Sequence, residues 1–149
     1  MFDLQKYLEP RLRRINAELA RRLPPATMRP AVLHKAMRYS VLAGGKRLRP
    51  ILCLAAADIV RRHNAATITA GLAIEILHTY TLIHDDLPGM DNDSLRRVKP
   101  TAHVVFGEAN AILAGDALLT MAFEWLSKIR PNSVYAPERL IGELAQAAG

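Results

Sequence analysis

Cysteine is almost missing from this 149-residue chain: Cys53 stands alone among apolar neighbours, so no internal disulfide can form. A reducing, cytoplasmic setting is therefore expected. Aromatic residues make up only 5%, while Ala and Leu, both good helix formers, dominate. No segment alternates apolar and polar residues as a half-buried strand does, so the expected class is all-α. Long uncharged apolar runs are absent too. The longest apolar-rich segment, Ile68 to Leu87, contains Glu75, His78, His84, Asp85 and Asp86, so no membrane span is expected. Met1 to Tyr7 lacks the basic start and apolar run of a secretory signal. There are no repeats and no low-complexity tract.

The length fits one ordinary domain with a real core. The net charge of +6 is unevenly spread. Residues 1–62 hold 14 Lys/Arg against 4 Asp/Glu, a balance of +10, whereas residues 63–149 hold 6 against 10, a balance of −4. The basic half suggests an anionic partner, either nucleic acid or a phosphorylated small molecule. Much of this charge is also expected on solvated helix faces.

Helical spacing appears first at Leu12, Ile15, Leu19 and Leu23, with Asp3 as the expected N-cap. Pro10 either kinks this helix or lies near its start, and Pro24-Pro25 ends it. Pro30 opens a second helix through about Ala43, carrying Leu33, Ala36, Met37 and Val41 on one side. Gly44-Gly45 breaks it, and Pro50 suits the first turn of a third helix running to about Arg62. Ala65 to Asp86 reads as a long fourth helix capped at Thr67 or Thr69 and stopped by Pro88-Gly89. A polar loop, Asp91 to Pro100, follows. A fifth helix is expected from about Thr101 to Ile129, interrupted near Gly107 or Gly115 and ended by Pro131. Pro137 starts a last helix whose apolar stripe, Leu140, Ile141, Leu144 and Ala145, requires a packing partner.

Chemistry concentrates at the end of the fourth helix. Asp85, Asp86, Asp91 and Asp93 put four carboxylates within nine residues, which repel one another unless a cation sits among them. Mg²⁺ takes one or two carboxylates together with waters and phosphate oxygens, and the partial negative charge of a helix C-terminus favours a cation further. Arg96-Arg97 follow closely. Carboxylates that hold metal beside guanidiniums that hold phosphate oxygens match a metal–diphosphate complex. A solvated acidic turn, or surface pairing of Asp91 and Asp93 with the arginines, is the plainer alternative. An EF-hand does not fit the Gly and terminal Glu positions. His84-Asp85 also fits the pair of metal phosphohydrolases, but His34 and His63 lie in no supporting motif.

Gly44-Gly45-Lys46-Arg47-Leu48-Arg49 forms a second cluster. Its glycines let the backbone approach an anion, and the helix that follows turns N–H groups outward. Lys46 and Arg49, three apart, can share one face. A Walker loop is excluded by spacing, and a simple basic helix start is the plainer alternative. His78 lies seven residues before Asp85 and so shares its helix face; a lone helical histidine is otherwise a core residue.

Together these residues resemble the trans-isoprenyl diphosphate synthase family, in particular its bacterial farnesyl diphosphate synthase (geranyltranstransferase) branch. The resemblance rests on Gly44 through Pro50, His84 through Pro88, Asp91 through Asp93, Leu95-Arg96-Arg97, Pro100 through His103, Gly107 through Ala111 and Ala114 through Leu118. It implies an isoprenoid-synthase-type helical bundle and Mg²⁺-dependent head-to-tail prenyl transfer. By resemblance, Asp85 and Asp91 ligate Mg²⁺ with Asp86 in the same acidic pair, and Arg96 holds the allylic diphosphate. Gly45, Lys46, Arg49, His78 and Arg97 hold isopentenyl diphosphate. Tyr80 and Thr81, on the cavity floor below Asp85, set product length, and an aromatic at Tyr80 with two extra residues within Leu87 to Met90 resembles the C15 producers. The resemblance further implies a homodimer for full-length members.

The chain departs from the family in two ways. Val98 stands where the family has Gly after the arginine pair. Members are also about twice this length, so residues 1–149 are expected to be the N-terminal part of one domain. The second aspartate-rich motif does not occur, so negligible turnover is expected from these residues alone. A non-catalytic prenyl-diphosphate-binding or half-bundle remnant is the alternative. A basic nucleic-acid binder leaves the acidic motif without a role, so no nucleic-acid partner is expected.

Overall fold

A computed structural model of the chain describes residues 3–60, 64–130 and 136–149. α1 (Leu4–Arg22) starts at the expected cap, where Asp3 Oδ1 accepts from the Lys6 amide at 3.1 Å. Pro10 lies inside this helix without ending it. Ile15 and Leu19 are buried, and the chain leaves the helix at Leu23 in the extended backbone that a following proline favours.

α2 (Ala31–Val41) follows Pro30 and stops two residues short of the expected Ala43. α3 (Leu48–Ile59) carries Pro50 in its first turn, where a missing N–H costs nothing. Its C-cap is already Val60, and the expected end at Arg62 lies outside the described residues. α4 (Ala65–Asp85) is capped by Asn64, not by Thr67 or Thr69. Asn64 Oδ1 accepts from the Thr67 amide at 3.0 Å, whereas the Thr69 hydroxyl donates back to the Ala65 carbonyl. Asparagine is among the best N-caps, and a threonine inside the first turns back-bonds instead.

β1 (Leu95–Arg96) and β2 (Lys99–Pro100) form a short antiparallel ribbon, with Leu95 opposite Pro100 and Arg96 opposite Lys99. Two-residue strands are too short to show alternation, so an all-α reading passes over them. α5 (Ala102–Phe106) and α6 (Glu108–Ser127) are separated at Gly107, while Gly115 lies inside an unbroken α6. α6 ends before Pro131, which is outside the described residues. α7 (Pro137–Ala148) begins at Pro137 as expected.

α4 is the centre of this helical bundle, packed against α3 on one side and α6 on the other, with α1 and α2 also touching it. Among the described residues it is the one helix long and apolar enough to cross a membrane. Within the bundle those apolar residues form the core: Leu72 and Ile76 are fully buried with Ile15, Leu19, Met37, Leu54 and Leu118. Gly115 allows α6 to approach closely, because a Cβ there would overlap the His84 imidazole. Leu140, Ile141 and Leu144 of α7 lie half-buried against this core, beside a groove lined by Ala70, Ile74 and Leu126.

The cap assignment predicts that Asn64→Ala lowers stability by about 1 kcal/mol, read as a reduced denaturation midpoint at unchanged slope.

Candidate functional site

The end of α4 is built by its own backbone. The Leu87 amide donates to the His84 carbonyl at 3.1 Å, and the Met90 and Asn92 amides both donate to the Leu87 carbonyl. The Asp91 amide then donates to the Asp85 carbonyl at 2.8 Å. The Pro88-Gly89 turn thus folds back and sets Asp91 beside Asp85, at the end of a helix whose free carbonyls favour positive charge. Asp91 is exposed and Asp85 half-buried.

Asp86 has a different environment. It is 4% exposed, and both of its oxygens accept from Arg96: Nε at 2.8 and 3.0 Å, Nη2 at 2.6 Å. Such a bidentate, charge-assisted pair fixes both side chains. The expected acidic pair of Asp85 and Asp86 is therefore divided, Asp86 going to Arg96. Asp93 lies 3.8 Å from the same Nη2. Among the described residues no three His, Cys, Asp or Glu side chains converge on a metal-sized point. Asp85 and Asp91 alone suit Mg²⁺, which needs only one or two carboxylates when phosphates supply its other ligands.

The ribbon turns at Arg97-Val98, both in the left-handed region with φ of 53° and 61°. Two left-handed residues between paired strands make a type I′ turn, for which glycine is the favoured second residue. Val98 is 97% exposed, so it gains no packing in return. The ribbon is held from its sides. Arg96 grips Asp86, Tyr39 Oη donates to the Pro100 carbonyl at 2.8 Å, and Thr101 Oγ1 donates to the Asp93 carbonyl at 2.8 Å. At the tip, Arg97 donates to the Gly44 carbonyl, and its guanidinium covers Gly45, where any Cβ would overlap it. Gly45 has φ of 131°, a second reason for glycine there.

This contact closes a cavity of about 520 Å³ between the Gly44–Arg49 loop, α4 and the ribbon tip. Gly45, Lys46, Arg49, His78 and Arg97 all line it. The five residues expected to hold one diphosphate are thus brought together from three separate segments, in a volume ordinary for a ligand site. Burial, then the Arg49 guanidinium, with Arg97 and Arg96 behind it, pushes the His78 imidazole below the ordinary histidine value, against an opposing pull from Glu75. Lys46 and Arg49 are exposed, and no described hydrogen bond or ion pair takes up their charges.

Arg96 lines a second, smaller cavity together with Asp86 and Tyr39, sharing Arg47, Glu75, His78 and Arg97 with the first. Tyr80 and Thr81 line neither. The Tyr80 ring meets His84 edge-on at 4.8 Å, and Thr81 Oγ1 donates to the His78 carbonyl at 2.9 Å. His84 reaches α6, with Nε2 3.1 Å from the Ile112 carbonyl oxygen.

Sequence reasoning missed Arg47 and Glu75. Arg47 Nη1 meets Glu75 Oε1 at 3.0 Å, with side chains 2% and 5% exposed. One signal was available: Glu75 is the only acidic residue of α4 before Asp85. A carboxylate within an otherwise apolar helix requires a cationic partner if it is buried.

The polyprenyl synthetase family profile matches residues 30–148. The chain is 49% identical over 151 aligned residues to the heterodimeric geranylgeranyl pyrophosphate synthase large subunit 1, chloroplastic, of Arabidopsis thaliana, covering 99% of this chain and 40% of that protein. It superposes on an FPP/GFPP synthase of Zymomonas mobilis with a TM-score of 0.91 at 43% identity, covering 98% of this chain and 53% of that one. A geranyltransferase of Legionella pneumophila gives 0.80 at 34% identity, with 98% and 51% covered. The chain thus spans about half the length of the solved relatives, and less of the curated one. The relatives share prenyl-synthase names but not one product: geranylgeranyl in the plant protein, FPP/GFPP in the bacterial one.

Val98→Gly is expected to raise stability by about 1 kcal/mol, because a left-handed β-branched residue costs more than the entropy glycine adds to the unfolded chain. A thermal melt that falls instead would show that Val98 is not strained.

Proposed function

Since the chain belongs to the polyprenyl synthetase family, we propose that it serves head-to-tail prenyl transfer in isoprenoid biosynthesis, with isopentenyl diphosphate at the Gly44–Arg49 loop and an allylic diphosphate at the end of α4. The observation that carries this reading is the convergence of Lys46, Arg49, His78 and Arg97 on one cavity, with Asp85 two turns beyond His78 on α4 and Asp91 folded back against it. Lys46, Arg49 and Arg97 bring three cationic side chains to a single ligand, as a diphosphate requires. Arg96 Nη1 has no described partner, so Arg96 keeps a donor for a phosphate oxygen while its other edge holds Asp86. Asp85 and Asp91 would hold Mg²⁺, which would supply positive charge to the departing allylic diphosphate. Arg96 offers hydrogen bonds to the same developing charge. The setting we propose is cytoplasmic.

For the product we propose farnesyl diphosphate. Supporting this, Tyr80 stands five residues before Asp85, about 7.5 Å down the helix, with its ring held against His84 at the seam with α6. Tyr80→Ala, in a chain that turns over, should shift products beyond C15; an unchanged product spectrum argues against the assignment.

Binding is tested by titrating isopentenyl diphosphate into the chain while following His78 by NMR. Burial depresses the imidazole most and the Arg49 guanidinium next; an anion at Lys46 and Arg49 offsets that second cause, so the pKa should move upward on binding. A His78 titration indifferent to saturating ligand would remove it from the site. For the metal, Asp85→Asn should abolish any Mg²⁺ dependence of allylic diphosphate binding while leaving isopentenyl diphosphate affinity unchanged.

A further inference from the structure

The three cations from Lys46 to Arg49 do not share one role. Lys46 and Arg49 are exposed at the cavity, whereas Arg47, between them, is 4% exposed. The backbone accounts for this difference. Arg47 is the N-cap of α3 in the left-handed region, with φ 48° and ψ 36°, and its side chain enters the bundle. There its guanidinium donates to three elements at once: Nε to Asn16 Oδ1 of α1 at 3.0 Å, Nη1 to Glu75 Oε1 of α4 at 3.0 Å, and Nη2 to the Val41 carbonyl at the end of α2 at 2.7 Å. One side chain at the start of α3 thereby ties the loop to all three neighbouring helices. The preceding residues, Gly44 and Gly45, have little conformational preference of their own.

We propose that Arg47 and Glu75 form a positioning pair that sets Lys46 and Arg49 for the diphosphate from beneath, Arg47 acting through the loop it anchors although part of it also lines the cavity. The inference rests on the reading of the loop as a diphosphate site. Its distinguishing feature is a sign. Glu75 lines the same cavity as Lys46, Arg49 and His78. If its charge acted only through space, neutralising it would strengthen anion binding. If it holds Arg47, neutralising it leaves a buried guanidinium without its counter-charge, the loop shifts, and anion binding weakens.

The test is calorimetric titration of isopentenyl diphosphate, and separately inorganic diphosphate, into the whole chain, at a temperature where circular dichroism shows each variant folded. Glu75→Gln should weaken binding about tenfold, as loss of an orienting partner behind a ligand-holding side chain does. Asn16→Ala removes one of the three Arg47 bonds without unpairing a charge, and should weaken binding by a smaller factor at nearly unchanged melting temperature. It keeps the test decisive if Glu75→Gln fails to fold. Equal or tighter binding by a folded Glu75→Gln, or unchanged affinity in Asn16→Ala, overturns the positioning role. Absence of binding by the unaltered chain overturns the loop reading first, and this inference with it.

Discussion

A carboxylate in the middle of an apolar helix can be buried only against a cation, and much of this molecule is arranged around that requirement. Glu75 sits near the midpoint of α4, between Leu72 and Ile76, both without exposed surface. Its partner Arg47 comes from the start of α3 and is bonded to α1 and α2 as well. Removing one member of such a pair is far more costly than replacing both, because the survivor remains desolvated and unpaired. The pair therefore fixes how α3 begins, and with it where the glycine loop runs relative to α4. His78 lies one turn beyond Glu75 on the same face, and Asp85 and Asp86 lie two turns beyond that. Core packing and the cavity depend on the same turns of α4.

Much of the helix layout was legible because local chemistry decides it. Asp3 caps α1, Pro24 ends it, and Pro50 and Pro137 sit in first turns, each for reasons confined to a few residues, while of the two glycines that could divide α5 from α6 it is Gly107 and not Gly115 that does so. The cap of α4 was misplaced because three polar residues, Asn64, Thr67 and Thr69, compete within six positions; only hydrogen-bond geometry separates the acceptor from the donors. The ribbon at Leu95 to Pro100 was not legible. Its two-residue strands carry no periodicity, and its conformation is imposed from outside by Asp86, Tyr39 and the Gly44 carbonyl.

The candidate site divides along the same line. Gly45, Lys46, Arg49, His78 and Arg97 were nominated from sequence and lie around one cavity. Spacing along the chain could not foresee that Asp86 would face Arg96 rather than join Asp85. Adjacent residues on a helix point about 100° apart, so an Asp-Asp pair divides whenever one of the two directions leads into the bundle. Val98 is a different case. Its departure from glycine was visible in the sequence, and the structure supplies the physical content, a β-branched residue at φ 61° in a type I′ turn. The turn persists because the residues on either side of it are anchored.

The lopsided charge of the chain takes on a narrower meaning in this light. A balance of +10 over residues 1–62 reads, as composition, like a broad basic surface. Several of these basic side chains are nevertheless engaged within the fold. Arg11 pairs with Asp58, Arg13 with Glu9, and Arg21 and Arg22 with Glu18, holding that carboxyl down to about 2. Arg38 donates to the carbonyls of Ala20 and Leu23, and Arg47 is buried on Glu75. Lys46 and Arg49 lie beside the cavity with neither a carboxylate nor a carbonyl described for them, as is also true of Arg29 and Lys35 elsewhere on the surface. A surface that engages an extended polyanion places its cations along a stripe or face. Lys46 and Arg49 instead flank a concavity that Arg97 closes from the opposite side. Net charge gives only the sign of a partner; the concavity is what favours the proposed ligand with a few phosphate oxygens over a polymer.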